Sequence, residues 1–169
     1  LIAPVLCHMA EDIWQNIPYD LEEVSVFQRG WPKPPETWRN NSLNDHVSEL
    51  RKLRTVINRM LESCRNNQDL GSSLEASVRV DISDKKVQAA IDWLSKSESN
   101  KVDVLRDWFL VSSLQIGGEP WAEVLVSEDN DIASVDIAKA RGLKCERCWH
   151  YEVAMSNNQK HPNICNRCE

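Results

Sequence analysis

Four of the six cysteines in this 169-residue chain carry its strongest chemical signal. Cys145-Glu-Arg-Cys148 and Cys165-Asn-Arg-Cys168 are two C-x-x-C knuckles with sixteen residues between them. A two-residue spacer lets both sulfurs of a tight turn reach one ion. Two such turns supply four thiolates, a complete set for tetrahedral Zn²⁺. A redox-active C-x-x-C comes singly and opens a helix after a strand. The duplicated motif therefore reads as one structural zinc site with Cys145, Cys148, Cys165 and Cys168 as ligands. A pair of disulfides, or free thiols, is the alternative reading.

The surroundings of the knuckles are cationic. Residues 139–169 carry 6 basic and 3 acidic side chains, whereas residues 71–138 carry 6 basic and 13 acidic ones. The net charge of −6 argues against a protein that coats nucleic acid indiscriminately. A positive knuckle on an acidic body suits a local anionic partner, such as one stretch of RNA backbone. Lys144, Arg147, Lys160 and Arg167 supply the charge, and Trp149 and Tyr151 supply rings that can stack on an unpaired base. Packing over the zinc loop is an equal reading for Trp149. His150 and His161 could compete for the metal, but four thiolates already close such a site, which leaves the imidazoles to face RNA or solvent. A second basic group, Arg51, Arg54, Arg59 and Arg65, lies along one helical stretch and joins the candidate RNA surface. A solvated helix face is the plainer reading of each.

Catalytic patterns do not emerge. The chain has no P-loop and no Gly-rich dinucleotide fingerprint. His46 beside Asp45 reads as a helix-surface residue.

The elements that must position these groups follow from periodicity. Ile2, Val5, Leu6, Met9 and Ile13 recur at helical steps and predict a helix over 3–16, ending before Pro18. Residues 17–41, with five Pro or Gly positions, read as a long connection anchored to the body by Trp31 and Trp38. Val47, Leu50, Leu53, Ile57, Met60, Leu61 and Cys64 mark one face of a helix over 43–66, with Ser42 as its N-cap. Two such helices cannot close a bundle alone and read as the last helices of a larger one. After Gly71 the period changes: a strand at 74–82, a helix at 84–96, and strands at 107–116, 121–127 and 132–138. The fold class is α+β: partial helical bundle over 1–70, small α+β domain over 71–142 and a C-terminal four-cysteine zinc finger over 143–169.

No apolar run approaches the length that spans a bilayer, and no stretch reads as a signal peptide with a charged start and an apolar centre. Cys7 and Cys64 read as single apolar residues within helical patterns, consistent with a reducing, cytosolic compartment. The chain has no initiator Met and opens inside an amphipathic pattern, which reads as a piece of something longer.

Three stretches together resemble the C-terminal part of bacterial-type isoleucyl-tRNA synthetases. Leu1-Ile-Ala-Pro-Val-Leu-Cys-His-Met-Ala-Glu-Asp-Ile-Trp14 is similar to a helix of the anticodon-binding bundle of class Ia synthetases, with Cys7 where that family usually has Pro. Leu53-Arg-Thr-Val-Ile-Asn58 followed by Asp69-Leu-Gly-Ser-Ser-Leu-Glu-Ala76 is similar to the bundle exit of the isoleucine enzyme. Lys144-Cys-Glu-Arg-Cys-Trp149, His161-Pro162 and Cys165-Asn-Arg-Cys168 are similar to its terminal zinc finger. The resemblance covers residues 1–168. It implies a tRNA-binding piece of an ATP-dependent ligase that attaches isoleucine to its tRNA. It also implies a tRNA(Ile) anticodon arm as partner, one structural Zn²⁺, upstream catalytic and editing domains, and ATP and Mg²⁺ confined to the catalytic one. A monomer in the bacterial cytoplasm is expected, with an organelle matrix or stroma as the alternative. The fragment Ser95-Lys96-Ser97 reads as a chance match to a synthetase signature loop. Two other readings remain: a stand-alone zinc-ribbon module that recognises a protein, and the finger of a DNA glycosylase.

Overall fold

The computed structural model describes residues 2–96, 103–157 and 159–169. Leu1, and Ser97 of the Ser95-Lys96-Ser97 fragment, lie outside them. The chain divides into two compact units, residues 1–40 and 41–169.

In the first unit, helix α1 (Cys7–Gln15) is shorter than the expected 3–16. Residues 3–6 form turns, in which Val5 and Leu6 both donate to the Ile2 carbonyl. The following connection is pinned to α1 by polar contacts. Trp14 Nε1 donates to the Glu23 carbonyl at 3.0 Å, and Glu11 accepts from Ser25 Oγ at 2.8 Å and from the Val26 N–H at 3.2 Å. The expected anchors do not bury: Trp31 and Trp38 stay 74% and 76% exposed. Nor do the apolar residues on and before α1: Ile2, Leu6, Met9 and Ile13 are exposed, and Ala10 alone of the helix is buried. Cys7 is exposed too.

The second unit is built on helix α2 (Asn41–Asn66), about 39 Å long at 1.5 Å per residue. Ser42, expected as its N-cap, falls inside it. Leu50, Leu53, Ile57, Met60, Leu61 and Cys64 bury one stripe, as their spacing dictates. The stripe packs on α3 (Lys85–Ser95), whose buried residues are Val87, Ala90, Ile91 and Leu94. Asp84 caps α3 by accepting from the Lys86 and Val87 N–H groups at 2.7 and 3.2 Å.

Beneath the helices lies a four-stranded sheet of β1 (Ala76–Ile82), β2 (Ser113–Ile116), β3 (Val126–Asp129) and β4 (Ala133–Lys139), in the order β2-β1-β4-β3. β1 and β2 run parallel; β1–β4 and β3–β4 are antiparallel. Alternation sends Ala76, Val78 and Val80 of β1, and Ala133, Val135 and Ile137 of β4, into the core with 0% exposure. The other face carries a buried ion pair between cross-strand partners. Arg79 Nη1 donates to Asp136 Oδ2 at 2.8 Å, and Arg79 Nε and Nη2 hold the Gly118 carbonyl.

Two strand assignments from sequence need correction. Residues 107–116 do not form one strand: α4 (Val104–Phe109) occupies the first part and β2 the last. Asp103 caps α4 by accepting from the Arg106 N–H at 3.0 Å, and Leu105 and Phe109 bury at the i, i+4 spacing of a helix. A short apolar run such as Trp-Phe-Leu-Val does not distinguish the two states by itself. The strand expected at 121–127 begins at Val126, because its pairing starts with Val126 opposite Ile137.

Candidate metal centre and nucleic-acid interface

The chain enters its last segment through Gly142, at φ +98°. A two-stranded ladder follows, β5 (Leu143–Lys144) against β6 (Tyr151–Glu152), with the first knuckle as its loop. The knuckle turns on two backbone bonds, Trp149 N–H to the Cys145 carbonyl and Cys145 N–H to the His150 carbonyl, both 2.9 Å. In the second knuckle the Cys165 carbonyl accepts from the N–H groups of Cys168 and Glu169, at 2.9 and 3.2 Å. Glu146 N–H joins the two by donating to the Asn163 carbonyl at 3.1 Å.

This folding gathers the four sulfurs of Cys145, Cys148, Cys165 and Cys168 within 4.8 Å of one another. Cys148 and Cys165 Sγ are 3.7 Å apart. Thiolates about 2.3 Å from a tetrahedral ion stand about 3.8 Å from each other, so the donor set fits Zn²⁺. A disulfide requires about 2.05 Å, and all six cysteines are unpaired. Cys145 and Cys165 are buried, Cys148 and Cys168 half-buried.

Burial opposes ionisation of Cys145, but the N–H groups of Cys148, Cys165 and Arg147 point at its sulfur and lower the thiol from 9.0 to about 6. Burial, reinforced by the neighbouring sulfurs, pushes Cys168 up to about 12, and burial also raises Cys148. Four sulfurs this close cannot all ionise without a cation among them, which is the electrostatic requirement a Zn²⁺ ion meets.

The finger is bound to the α+β body. Arg167 Nη1 reaches both carboxylate oxygens of Asp107, at 2.9 and 2.8 Å. Arg106 Nη1 donates to Glu152 Oε1 at 2.7 Å, and Tyr151 N–H donates to Ser112 Oγ at 2.7 Å. His150 does not face solvent as expected. It is 7% exposed, with Nε2 3.7 Å from Asp107 Oδ1. Burial, with the nearby Arg106 and Arg167 charges, lowers its pKa below the ordinary histidine value. His161 is exposed. Between the finger and the sheet these contacts wall a cleft of about 1120 Å³, lined in part by Gln115, Trp121, Arg141 and Tyr151.

The candidate RNA residues are distributed unevenly. Trp149, at φ 66°, is 60% exposed, with Lys144 Nζ 5.1 Å from its ring centre. Arg147 is exposed and donates to the Cys168 carbonyl at 2.8 Å. Arg51 is exposed on α2. Arg54 lies over the Trp108 ring at 5.9 Å, Arg59 pairs with Glu128, and Arg65 Nε donates to Glu62 at 3.0 Å. Arg167 is held by Asp107, a partner that sequence spacing had no means of showing.

Comparison with known proteins places this geometry. Residues 1–82 match a family described as the anticodon-binding domain of tRNA ligase, and residues 142–169 match one described as a zinc finger found in FPG and IleRS. An isoleucine–tRNA ligase of Prochlorococcus marinus (strain NATL1A) is 85% identical over 169 residues, which is 100% of this chain and 18% of that protein. Over its whole length the chain thus matches one segment of an isoleucine–tRNA ligase. Another such ligase, from Parasynechococcus marenigrum (strain WH8102), is 56% identical over 167 residues, 99% of this chain and 17% of that protein. The chain therefore spans less than a fifth of these ligases, and it carries both the anticodon-binding match and the finger match. Among the described residues, no helix is long and apolar enough to cross a membrane.

Proposed function

We propose that this chain is a tRNA-holding segment of an isoleucine–tRNA ligase, the enzyme that attaches isoleucine to its tRNA using ATP. One observation carries the reading: an anticodon-binding match and a cationic four-cysteine finger occur in one chain, in that order. Its partner is the anticodon arm of tRNA(Ile). The arm is held so that the distant acceptor end reaches a catalytic site elsewhere in the ligase, a positioning contribution to the rate. ATP and Mg²⁺ belong to that catalytic part, and an editing domain to the same upstream portion. The chain's own cofactor is one structural Zn²⁺ on Cys145, Cys148, Cys165 and Cys168, which closes the finger and does no chemistry on substrate. The assembly is a cytoplasmic monomer.

Phosphate contacts come first from Arg51, Lys144 and Arg147, and Trp149 offers a stacking face. Arg54, Arg59, Arg65 and Arg167 must leave protein partners to contribute, while Arg147 shares its guanidinium with the Cys168 carbonyl and Lys144 sits over the Trp149 ring. The exposed apolar residues Ile2, Leu6, Met9 and Ile13 suit packing against other parts of the ligase.

Nuclease footprinting of tRNA(Ile) with the zinc-loaded chain tests the reading. Protection confined to the anticodon arm is expected. Protection of the acceptor stem, or none at saturating chain, would overturn it.

A further inference from the structure

Two adjacent residues of α4 hold the finger, and their charges are opposite. Arg106 takes Glu152, which follows the first knuckle, at 2.7 Å. Asp107 takes Arg167, which lies inside the second knuckle, at 2.8 Å. The contacts are sheltered, since the Arg106 and Arg167 side chains are 11% and 24% exposed. Between them, the Tyr151 N–H donates to Ser112 Oγ, which in turn donates to the Leu74 carbonyl. The buried His150 ring fills the space against Asp107 and makes no hydrogen bond through either nitrogen.

We propose that the Arg106–Asp107 pair is an orientation lock, with both residues positioning the finger's RNA face on the body for tRNA binding. The crossed charges make the docking directional. A finger turned end for end would set Arg167 against Arg106 and Glu152 against Asp107. Like charges juxtaposed at a partly dehydrated contact are the usual means by which a surface rejects a wrong register. A plain apolar contact would hold the finger without selecting its direction. The lock also assigns Arg167 to docking, while Lys144, Arg147 and Trp149 remain exposed or solvent-facing on the finger. The role rests on the tRNA-holding reading above.

The test uses a full-length isoleucine–tRNA ligase carrying this segment, with Asp107→Asn, Asp107→Arg, and Asp107→Arg combined with Arg167→Asp. Zinc content, isoleucine-dependent ATP–pyrophosphate exchange, KM for tRNA, kcat and amide exchange over residues 143–169 are measured for each. Asp107→Arg should raise KM for tRNA about tenfold and speed amide exchange in the finger, with zinc and pyrophosphate exchange unchanged. Asp107→Asn should do so more weakly. The charge-swapped double variant should return both KM and amide protection to within about twofold of the parent. A double variant that keeps zinc and pyrophosphate exchange but shows no recovery of protection overturns the lock. Recovery of protection without recovery of KM assigns Arg167 to the RNA and overturns its docking-only role. Arg147→Ala and Trp149→Ala are run alongside. If neither changes KM for tRNA, the RNA-face reading fails, whatever the lock variants show in amide exchange.

Discussion

Replacing Gly142 by Ala should loosen the finger's first hairpin far more than replacing Gly117 by Ala loosens its own turn. Both glycines sit in the left-handed half of backbone space, at φ +98° and +69°. An L side chain at such positions costs on the order of 1–3 kcal/mol, and both substitutions incur that strain. They differ in what the new methyl meets. At Gly117 nothing lies within 4 Å, whereas at Gly142 the Cβ would stand 2.1 Å from the Glu152 carbonyl oxygen and 2.3 Å from its carbon. That neighbour is backbone and cannot rotate away. Relief requires Glu152 to move, which opens the Leu143–Glu152 pairing and pulls on the Arg106 ion pair. Losing two or three such bonds adds roughly 1–4 kcal/mol at 0.5–1.5 each. Amide exchange over 143–152 is the assay, with β1 and β4 as internal references. Protection in the hairpin should fall at least about tenfold further for Gly142→Ala than protection near residue 117 falls for Gly117→Ala, about 1.4 kcal/mol in excess. Equal losses would refute the clash argument and place Gly142 at an ordinary turn.

Three other expectations follow from the same geometry. Asp136→Ala leaves the Arg79 guanidinium buried without its carboxylate and should cost about 3–5 kcal/mol in urea titration; the double change Arg79→Met, Asp136→Leu should recover most of it, and an equal cost for both would contradict the pair's role. The Asp84 carboxyl is held below its ordinary 3.8 by the N–H groups of Val87 and Lys86. Its contribution is therefore complete above pH 3.8 and lost as pH falls through the lowered value, so the Tm gap between parent and Asp84→Ala should close on acidification and would contradict the cap if it were constant with pH. Zinc removal by a chelator should strip amide protection from 143–169 and spare β1 and β4, because no described residue of that segment belongs to the apolar core cluster; uniform loss across both regions would show that the finger's metal supports the whole fold.

How much of this could be read from sequence depended on whether the signal was local. The α2 stripe from Leu50 to Cys64, the Asp84-capped α3 and the alternating β1 all repeat with their element's own period, and each appeared at or near its expected place. Each tight turn that pairs two cysteines is likewise local, whereas the meeting of the two turns rests on contacts such as Glu146 N–H to the Asn163 carbonyl. What escaped was decided by distant partners. Residues 104–109 become a helix because Leu105 and Phe109 reach a core built by other elements, with Asp103 as a local cap. His150 is buried because α4 lies against the knuckle, and Arg167 is taken by Asp107 sixty residues away in the chain. Trp31 and Trp38 were expected to be buried on composition alone, and their exposure depends on what packs beside them.

The central claim, that the cationic finger holds RNA, is tested most directly by the salt dependence of tRNA(Ile) binding to the zinc-loaded chain. A linear fall of log K with log salt is predicted, with the slope reduced by about one counterion's worth in Arg147→Ala. Trp149→Ala should cost about 1–3 kcal/mol at every salt concentration and leave the slope intact. Binding that ignores salt, or slopes and affinities identical in the parent and both variants, would contradict it.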